Sequence, residues 1–406
     1  MKGKWIKMAL GDCCDSPEYG LNASAISFDG KHKYIRITDI SDDSHLLIKD
    51  NITSPCFFSD EYRVVSGDIL FARTGASVGK TYFYSVEDGD LYFAGFLIRF
   101  HVKDSYCARY VFYQTLTPEY KSWTERISMR TGQPGINSFE YSQYLFFIPE
   151  DVETQQHIAD ILTSCDEVIE QTEKAIAKYR DIKAGMLQDL FTRGVDANGK
   201  LRPKPEDAPQ LYKDSPLGKI PKEWEIKTIG DLFDVEVGGD LQKDCFSSYK
   251  TVSHQYPIYS NSLENNGLYG YTTAPNYPAE SITLTGRGSL GHAEHRKEPF
   301  DAIIRLVVLK VKKDQRVDCK FITEQINYDQ DFFIESTGVP QLTAPQSAKM
   351  RVRMPKIETE QSNIAQHISA IDEKIELEEK TLAKYRSIKL GLMKKLLTPP
   401  EGALEA

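Results

Sequence analysis

Two short segments carry the residue types best suited to bind a phosphate or the edge of a base. Residues 73–80 read Arg-Thr-Gly-Ala-Ser-Val-Gly-Lys, and residues 286–292 read Gly-Arg-Gly-Ser-Leu-Gly-His. Small residues let backbone N–H groups approach a phosphate, and arginine can donate two hydrogen bonds to a guanine edge. We predict nucleic-acid contacts at Arg73, Thr74, Ser77, Lys80, Arg287 and Ser289. A tight hairpin required by the fold explains both segments equally well.

A second pair of polar segments precedes two regions with helical periodicity. These are residues 128–136 and 336–342, where the side chains suited to base edges or phosphate are Arg130, Gln133 and Gln341. Asn261 lies in a further polar segment, residues 259–267, followed by two tyrosines. We add these four residues to the predicted contacts, although the Thr-Gly and Pro residues of the paired segments serve the turn itself. For Asn261 a solvated loop over a tyrosine-rich core is an equal alternative.

The chain lacks the motifs of catalysis and of metal binding. Gly75 and Gly79 are separated by three residues, whereas a phosphate-binding P-loop needs four, and His292 takes the place of its lysine in the second segment. The seven cysteines form no CxxC pair or His-Cys cluster, and the eight histidines form no HExxH motif. We therefore predict no catalytic residues, no metal site and no disulfide framework, in keeping with a reducing cytoplasm.

The net charge opposes binding to nucleic acid. There are 50 Lys and Arg against 59 Asp and Glu, a formal charge of −9, whereas binding to phosphates rewards basic surfaces. The placement of the acidic residues therefore matters more than their number. No apolar stretch is long enough for a signal peptide or a membrane span.

An internal repeat organises the chain. A shift of 206 residues aligns 131–192 with 337–398 without a gap, and it places Ala177-Lys-Tyr-Arg on Ala383-Lys-Tyr-Arg. A slightly different shift pairs Trp5 with Trp224, so the chain consists of two copies, the second shorter in its middle. We predict a globular domain at 1–150, a long helix at 151–193, a Pro-rich linker at 194–222, a second globular domain at 223–352 and a second long helix at 353–398.

The two parts of each copy differ in their periodicity. The globular parts have short Tyr-, Phe-, Ile- and Val-rich runs broken by Gly, Asn and Pro, which predict β-rich mixed domains and an α+β fold. In the helical parts, apolar residues step alternately by three and four, as in the seam of a coiled coil. The seam residues we select are Ile158, Leu162, Ile169, Ile176, Tyr179, Ile364, Ile371, Ile375, Leu382 and Tyr385.

Both helical parts are acidic first and basic last. In 151–193, Asp166 and Glu173 precede Arg180 and Lys183, and the second helix repeats this order. An antiparallel pair sets each acidic half against the basic half of the other helix, so we predict an antiparallel coiled coil, consistent with a pseudo-twofold relation between the copies. The alternative is two separate amphipathic helices, each packed on its own core.

This organisation resembles the specificity subunit of type I restriction-modification enzymes. The resemblance rests on residues 214–224, which read Asp-Ser-Pro-Leu-Gly-Lys-Ile-Pro-Lys-Glu-Trp, and on the Pro followed by Gln at each helix start, Pro149 to Gln155 and Pro355 to Gln361. It covers nearly the whole chain. It implies two target recognition domains, each reading half of a split DNA sequence, and helices that set their spacing and dock two modification subunits. We assign this docking, together with the coiled coil, to the ten seam residues.

The resemblance also implies a division of labour. This chain would be non-catalytic, while partner modification and restriction subunits carry out adenine methylation and ATP-dependent cleavage of double-stranded DNA with S-adenosylmethionine, ATP and magnesium. The alternative function is a coiled-coil scaffold for protein assembly whose globular domains bind protein or sugar. Steep dependence of DNA binding on salt distinguishes the two.

Overall fold

The chain folds into two units, each with its own core. The structure is a computed structural model and describes residues 4–50, 52–129, 134–329 and 341–400. The first unit comprises Met1–Lys174 and Lys380–Ala406, and the second comprises Ala175–Glu379. Each of the two long helices therefore contributes a segment to both units. Among the described residues, no helix is both long and apolar enough to cross a membrane.

The first half of the chain alternates short strands and helices. Its strands are β1 (Trp5–Ala9), β2 (Glu18–Tyr19), β3 (Ala25–Ser27), β4 (Lys33–Ile35), β5 (Thr53–Pro55), β6 (Asp68–Ala72), β7 (Thr81–Phe83), β8 (Leu91–Phe93), β9 (Leu97–His101) and β10 (Leu145–Pro149). Its helices are α1 (Leu10–Cys13), α2 (Ala108–Gln114), α3 (Pro118–Ser128), α4 (Ser138–Ser142) and the long α5 (Val152–Arg193).

The second half of the chain begins with an additional hairpin and then follows a similar order. Its strands are β11 (Tyr212–Ser215), β12 (Gly218–Pro221), β13 (Trp224–Thr228), β14 (Phe233–Val237), β15 (Phe246–Ser247), β16 (Tyr256–Tyr259), β17 (Leu268–Thr272), β18 (Ser281–Leu284), β19 (Ala293–Arg296), β20 (Asp301–Ala302), β21 (Val307–Val311) and β22 (Arg351–Pro355). Its helices are α6 (Ile229–Leu232), α7 (Cys319–Asp329), α8 (Ala344–Ala348) and the long α9 (Glu358–Leu396).

The two units have matching sheets. In the first, β1 pairs with β10, and two four-stranded sheets have the orders β2-β9-β6-β7 and β3-β5-β4-β8. In the second, β13 pairs with β22, and the sheets have the orders β14-β21-β18-β19 and β15-β17-β16-β20. The pairs β4–β8 and β16–β20 are parallel, and the other strand pairings of the described residues are antiparallel. The repeat and the mixed α and β content predicted from the sequence are confirmed.

Apolar residues of both long helices enter the core of each unit. In the first unit, Ile158 and Leu162 of α5 share a core with Met393 and Leu396 of α9. In the second, Leu190 and Phe191 of α5 share a core with residues Ile364, Ala365 and Ile368 of α9. Full burial of one such side chain stabilises the fold by about 2 kcal/mol, and strands of two to five residues supply too little apolar surface to close a core alone.

The ten seam residues selected from the sequence are all buried or half-buried. Ile158, Leu162 and Ile364 are fully buried within their own units. They therefore serve the cores, and docking of partner subunits by the seam residues stays a prediction. A continuous coiled coil over the whole length of the helices stays a prediction.

Ion pairs between α5 and α9 join an acidic part of one helix to a basic part of the other. In the first unit, Asp166 pairs with Lys389 at 2.5 Å and Glu173 with Arg386 at 2.7 Å. In the second unit, Arg180 pairs with Glu379 at 2.6 Å and Lys183 with Asp372 at 2.7 Å. Within each unit, the α5 residue with the higher number pairs with the α9 residue with the lower number. The segments of the two helices therefore run in opposite directions there.

The segment predicted as a linker, residues 194–222, carries structure of its own in the second unit. Besides the β11–β12 hairpin, it packs around the carboxylate of Glu360, which is 6% exposed. Arg202 pairs with this carboxylate at 2.5 Å, and Trp224 donates its Nε1–H to it at 3.0 Å. A buried carboxylate needs such partners, because burial without them costs several kcal/mol.

The group around Asp372 tests the contribution of the helix charges. Burial alone would raise the pKa of Asp372, but hydrogen bonds from Lys183 and Lys320 outweigh it and hold the pKa below its usual value. We expect Asp372→Asn to lower the free energy of unfolding by about 1–3 kcal/mol near neutral pH, between the values for exposed and fully buried pairs. Urea denaturation measures this change.

The contacts of Asp372 with Lys183 and Lys320 also predict that the free energy of unfolding depends on pH. Because the folded pKa is lowered, the contribution of Asp372 is present above the usual carboxyl pKa of about 3.9 and is lost as the pH falls through the folded value. The difference between the wild type and Asp372→Asn should therefore shrink in acid. Glu373→Gln, at the exposed neighbouring position, should change stability by less than about 0.5 kcal/mol. Equal effects of the two substitutions would contradict this assignment.

Candidate nucleic-acid interface

In the first unit, two segments predicted to contact nucleic acid lie side by side. Residues 73–80 connect β6 to β7, an antiparallel pair, so the hairpin interpretation of this segment is confirmed. Gly75 donates its N–H to the carbonyl of Pro134 at 3.0 Å, and Ile136 donates its N–H to the carbonyl of Arg73 at 3.0 Å. Arg130 and Gln133 lie outside the described residues. The described part of their segment lies beside Arg73, through Pro134 and Ile136.

Arg73 is held between aromatic rings at the surface. Its Nε donates to the carbonyl of Gly95 at 3.0 Å, and its guanidinium lies 5.1 Å from the centre of the Tyr19 ring and 5.9 Å from that of Phe96. Phe96 is 56% exposed. Within the described part of the chain, the terminal amino groups of Arg73 have no hydrogen bond or ion pair. The aromatic contacts orient the guanidinium and leave these donors for a ligand.

A cleft of about 850 Å³ opens beside this arginine. Its polar lining includes Asn22, Thr38 and Arg36, and Phe96 and Tyr19 form part of its apolar lining. Arg36 already donates two hydrogen bonds to Asp39, at 2.8 and 2.9 Å, and this pairing raises the pKa of the guanidinium against the opposing effect of burial. Arg73 is therefore the arginine of this cleft best placed to meet an incoming ligand.

Lys80 has partners inside the protein. Its ammonium donates to the carbonyl of Ile40 at 3.0 Å and pairs with Asp42 at 2.5 Å, and its side chain is 10% exposed. The hydrogen bond from Lys80 holds the pKa of Asp42 below its usual value. These contacts would have to break for Lys80 to reach a phosphate. Thr74 and Ser77 lie on the same connection and are half-buried.

The second unit brings its predicted residues together around Gly286. This glycine follows β18, and residues 285–292 connect β18 to β19, the counterpart of the β6–β7 connection. Gly286 donates its N–H to Oδ1 of Asn261 at 2.7 Å and accepts from the N–H of Leu342 at 2.9 Å. The exposed Gln341 precedes Leu342. Asn261, the β18–β19 connection and the described residues Gln341 and Leu342 therefore adjoin one another.

Asn261 holds two parts of this surface together. While its Oδ1 accepts from Gly286, its Nδ2 donates to the carbonyl of Ile304 at 2.6 Å. Both hydrogen-bonding ends of the amide are thus in use. Asn261 positions the surface, and a direct contact with a base stays a prediction.

Arg287 and Ser289 are exposed on the β18–β19 connection. No hydrogen bond or ion pair of Arg287 occurs within residues 4–50, 52–129, 134–329 and 341–400, so its guanidinium is available to a ligand. Ser289 contributes its backbone carbonyl, which accepts from the hydroxyl of Thr285. That bond stabilises the turn and leaves the hydroxyl of Ser289 at the surface.

Sequence reasoning missed two matching turns, one between β8 and β9 and the other between β20 and β21. In the first unit this turn contains Gly95 and Phe96, and in the second it contains Ile304 and Arg305, both exposed, with φ of 56° and 58°. A left-handed conformation is unfavourable for a β-branched residue such as isoleucine and is found most often at functional sites. Aligning the strands that flank the two turns would have revealed their equivalence.

Comparison with known proteins gives matches over most of the chain. The profile of the type I restriction modification DNA specificity domain matches residues 2–178 and 221–384. The protein assigned as the specificity subunit of the type I restriction enzyme MjaX of Methanocaldococcus jannaschii is 25% identical over 97% of this chain and 93% of its own length. The MjaVIII specificity subunit of the same organism is 23% identical over 71% of this chain and 69% of its own.

Two solved structures share the fold. The S subunit of a type I restriction-modification system from M. genitalium aligns with a TM-score of 0.66 and 16% identity, over 98% of this chain and 97% of that chain. A chain from a study of complex assembly and conformational transition of the type I R-M system aligns with a TM-score of 0.52 and 12% identity, over 97% of both chains.

The role of Asn261 as a positioning residue can be tested by substitution. Asn261→Ala leaves the N–H of Gly286 without its acceptor, and we expect a loss of about 1–3 kcal/mol in the free energy of unfolding. Hydrogen exchange at the amides of Gly286 and Leu342 should become faster. Asn198→Ala, at an exposed position, is the control and should leave both quantities unchanged. Unaltered exchange in Asn261→Ala would show that other contacts hold the surface.

Proposed function

The chain belongs to the family of type I restriction modification DNA specificity domains, and we propose that each of its two units reads one half of a split target in double-stranded DNA. The observation that carries this proposal is the shared arrangement of the two surfaces. In each unit, a strand connection, a tight turn and the segment before a short helix are joined by hydrogen bonds, which in the second unit run partly through the side chain of Asn261. Each unit thus offers exposed or partly exposed side chains on a fixed backbone.

The side chains on the two surfaces differ, so the two half-sites are expected to differ in sequence. The first unit offers Arg73 between Tyr19 and Phe96, and the second offers Arg287 and Arg305. Arginine is the residue best suited to recognise guanine in the major groove, because its planar donors match the O6 and N7 acceptors. The aromatic side chains add apolar contacts to base or sugar.

We further propose that α5 and α9 form an antiparallel coiled coil that sets the spacing of the half-sites. Helix α5 has 42 residues, a length of about 63 Å at 1.5 Å per residue. Two half-sites read from one face of a duplex lie about 34 Å, or one helical turn, apart. The ion pairs between the helix segments in each unit support this arrangement, because they oppose sliding of one helix along the other.

The same proposal assigns the chemistry to partner subunits. Two modification subunits would bind S-adenosylmethionine and methylate adenine, and restriction subunits would use ATP and magnesium for translocation and cleavage. Specificity subunits of this class are non-catalytic. Exposed apolar residues on the long helices are the proposed docking contacts, since they remain outside the cores of their units: Val168, Ile182, Leu377, Ile388 and Leu390.

Salt dependence and arginine substitutions test the reading surfaces. The target is first obtained by mapping methylated adenines in the host genome, and binding to that duplex is measured for the chain assembled with modification subunits. We expect affinity to fall steeply with salt concentration. Arg73→Ala and Arg287→Ala should each weaken binding to the target by about 5- to 150-fold, because each removes one bidentate arginine–guanine contact. Binding of these variants to unrelated DNA should change little.

An exposed arginine at the opposite end of β21 from Arg305 serves as a matched control. Arg316 lies between β21 and α7. Arg316→Ala should retain the affinity of the wild type. Affinity that is independent of salt and of DNA sequence would favour the alternative of a protein scaffold.

Exchange of single domains tests the division of the target. Replacing residues 1–150 by the corresponding part of another specificity subunit should change one half of the methylated motif and leave the other half intact. Replacing residues 223–352 should change only the second half. Sequencing of methylated adenines in cells that carry each hybrid provides the measurement. A change in both halves after a single exchange would contradict independent reading.

A further inference from the structure

Three side chains of types that bind metal ions meet in the second unit, away from the proposed DNA-reading surface. Glu280 immediately precedes β18, His295 lies in β19, and Cys319 is the first residue of α7. The ligand atoms that these residues offer all lie within 4.8 Å of one another. The group joins three elements that are separated by 15 and 24 residues in the sequence.

The hydrogen bonds of the group leave one ring nitrogen unused. Nε2 of His295 lies 2.8 Å from Oε2 of Glu280, and the thiol of Cys319 donates to the carbonyl of Glu280 at 3.1 Å. Nδ1 of His295 is buried and has no hydrogen-bond partner among the residues that the structure describes. An ion shared by the three residues would replace the hydrogen bond between Nε2 of His295 and Oε2 of Glu280 and take both atoms as ligands.

Burial of the three residues varies in a way that suits a bound ion. Cys319 is 3% exposed and the side chain of His295 is 11% exposed, whereas that of Glu280 is 65% exposed. His295 also lines a cleft of about 890 Å³ within the second unit. The sulfur and nitrogen donors are thus shielded from water, while the carboxylate and the cleft provide a route of access for the ion.

The backbone at Glu280 is held in an unfavourable conformation. Its φ is 52°, a value that L-residues other than Asn and Asp rarely adopt. At the matching place in the first unit, immediately before β6, the chain has Gly67, with φ of 92°. A glutamate here costs about 1 kcal/mol or more relative to glycine. That cost places a carboxylate beside His295 and indicates a role for the side chain.

We propose that Glu280, His295 and Cys319 bind one thiophilic divalent cation, with Zn²⁺ as the best match, and that water completes the coordination. Zinc accepts one sulfur, one nitrogen and one oxygen ligand in tetrahedral geometry, whereas magnesium and calcium require oxygen ligands. The ion would clamp the β18–β19 hairpin to α7. This hairpin carries Arg287, but the metal site does not depend on the proposed reading of DNA.

Zinc titration of the full chain tests the proposal. The purified protein is stripped with a chelator under a phosphine reductant and titrated with Zn²⁺ in a calorimeter. We expect one equivalent to bind to the wild type, and Cys319→Ser and His295→Gln to weaken binding by at least about 100-fold. Co²⁺ in place of Zn²⁺ should give a thiolate-to-metal charge-transfer band that Cys319→Ser abolishes.

Matched variants separate this site from other cysteines and histidines. Cys245→Ser removes a half-buried cysteine outside the group, and His292→Gln removes the histidine that pairs with Glu294 at 3.0 Å. Both should bind one equivalent with the affinity of the wild type. Zinc binding that is absent in the wild type, or that survives in both Cys319→Ser and His295→Gln, overturns the proposal.

A third substitution guards against failure of a buried variant to fold. Glu280→Gln changes an exposed side chain and should fold like the wild type, as circular dichroism can verify. It should bind zinc at least about 10-fold more weakly, and zinc should raise its melting temperature less than that of the wild type. If Glu280→Gln retains the affinity and the shift of the wild type, the carboxylate is not a ligand and the three-residue site is rejected.

Discussion

Both cores of this protein depend on the same two helices. The strands of each unit are two to five residues long, and their sheets have four strands or fewer. Such sheets need an apolar layer against which to pack. Segments of α5 and α9 supply part of it in each unit, through Ile158 and Met393 in the first and Leu190 and Ile364 in the second. Each long helix is therefore a structural part of both units.

The net charge alone does not decide whether this protein can bind DNA. Acidic residues of α5 and α9, such as Asp166 and Asp372, pair with lysines of the opposite helix within the same unit. These pairs leave the net charge of −9 unchanged, but the groups near the loops set the charge that DNA meets there. Arg73 and Arg287 retain guanidinium donors that no group of the described residues uses. Salt screens charges that lie more than about 10 Å away, so the charge close to these arginines governs their contact with DNA.

The two interfaces show how a common backbone can present different side chains. Gly95 and Ile304 occupy matching turns, and their carbonyl groups accept from Arg73 in one unit and from Asn261 in the other. In the first unit the residue that holds the turn is itself the proposed reading residue. In the second, Asn261 holds the turn and Arg287 remains free. Substitution at such positions can alter base preference while the hydrogen bonds of the backbone stay in place.

The sequence by itself determined the features that depend on local periodicity and on comparison of the chain with itself. These are the internal repeat, the two long helices, the burial of their seam and the opposed charges, because a helix places residues three and four apart on one face whatever surrounds it. The family resemblance, carried by residues 214–224, is confirmed by the profile match. Residues 73–80 could be recognised as a surface connection, but not as a segment in which Lys80 is engaged by Asp42.

Only the tertiary structure decided which distant residues meet. Tyr19, Arg73 and Phe96 converge because β2, β6 and β9 pair in one sheet, and Glu280, His295 and Cys319 converge because α7 begins beside the β18–β19 hairpin. Strand pairing joins residues whose separation in the chain follows no fixed period, so no spacing rule could reveal either group. The physical reason is that local patterns encode which face of an element is buried, whereas packing between elements determines what each exposed or polar side chain touches.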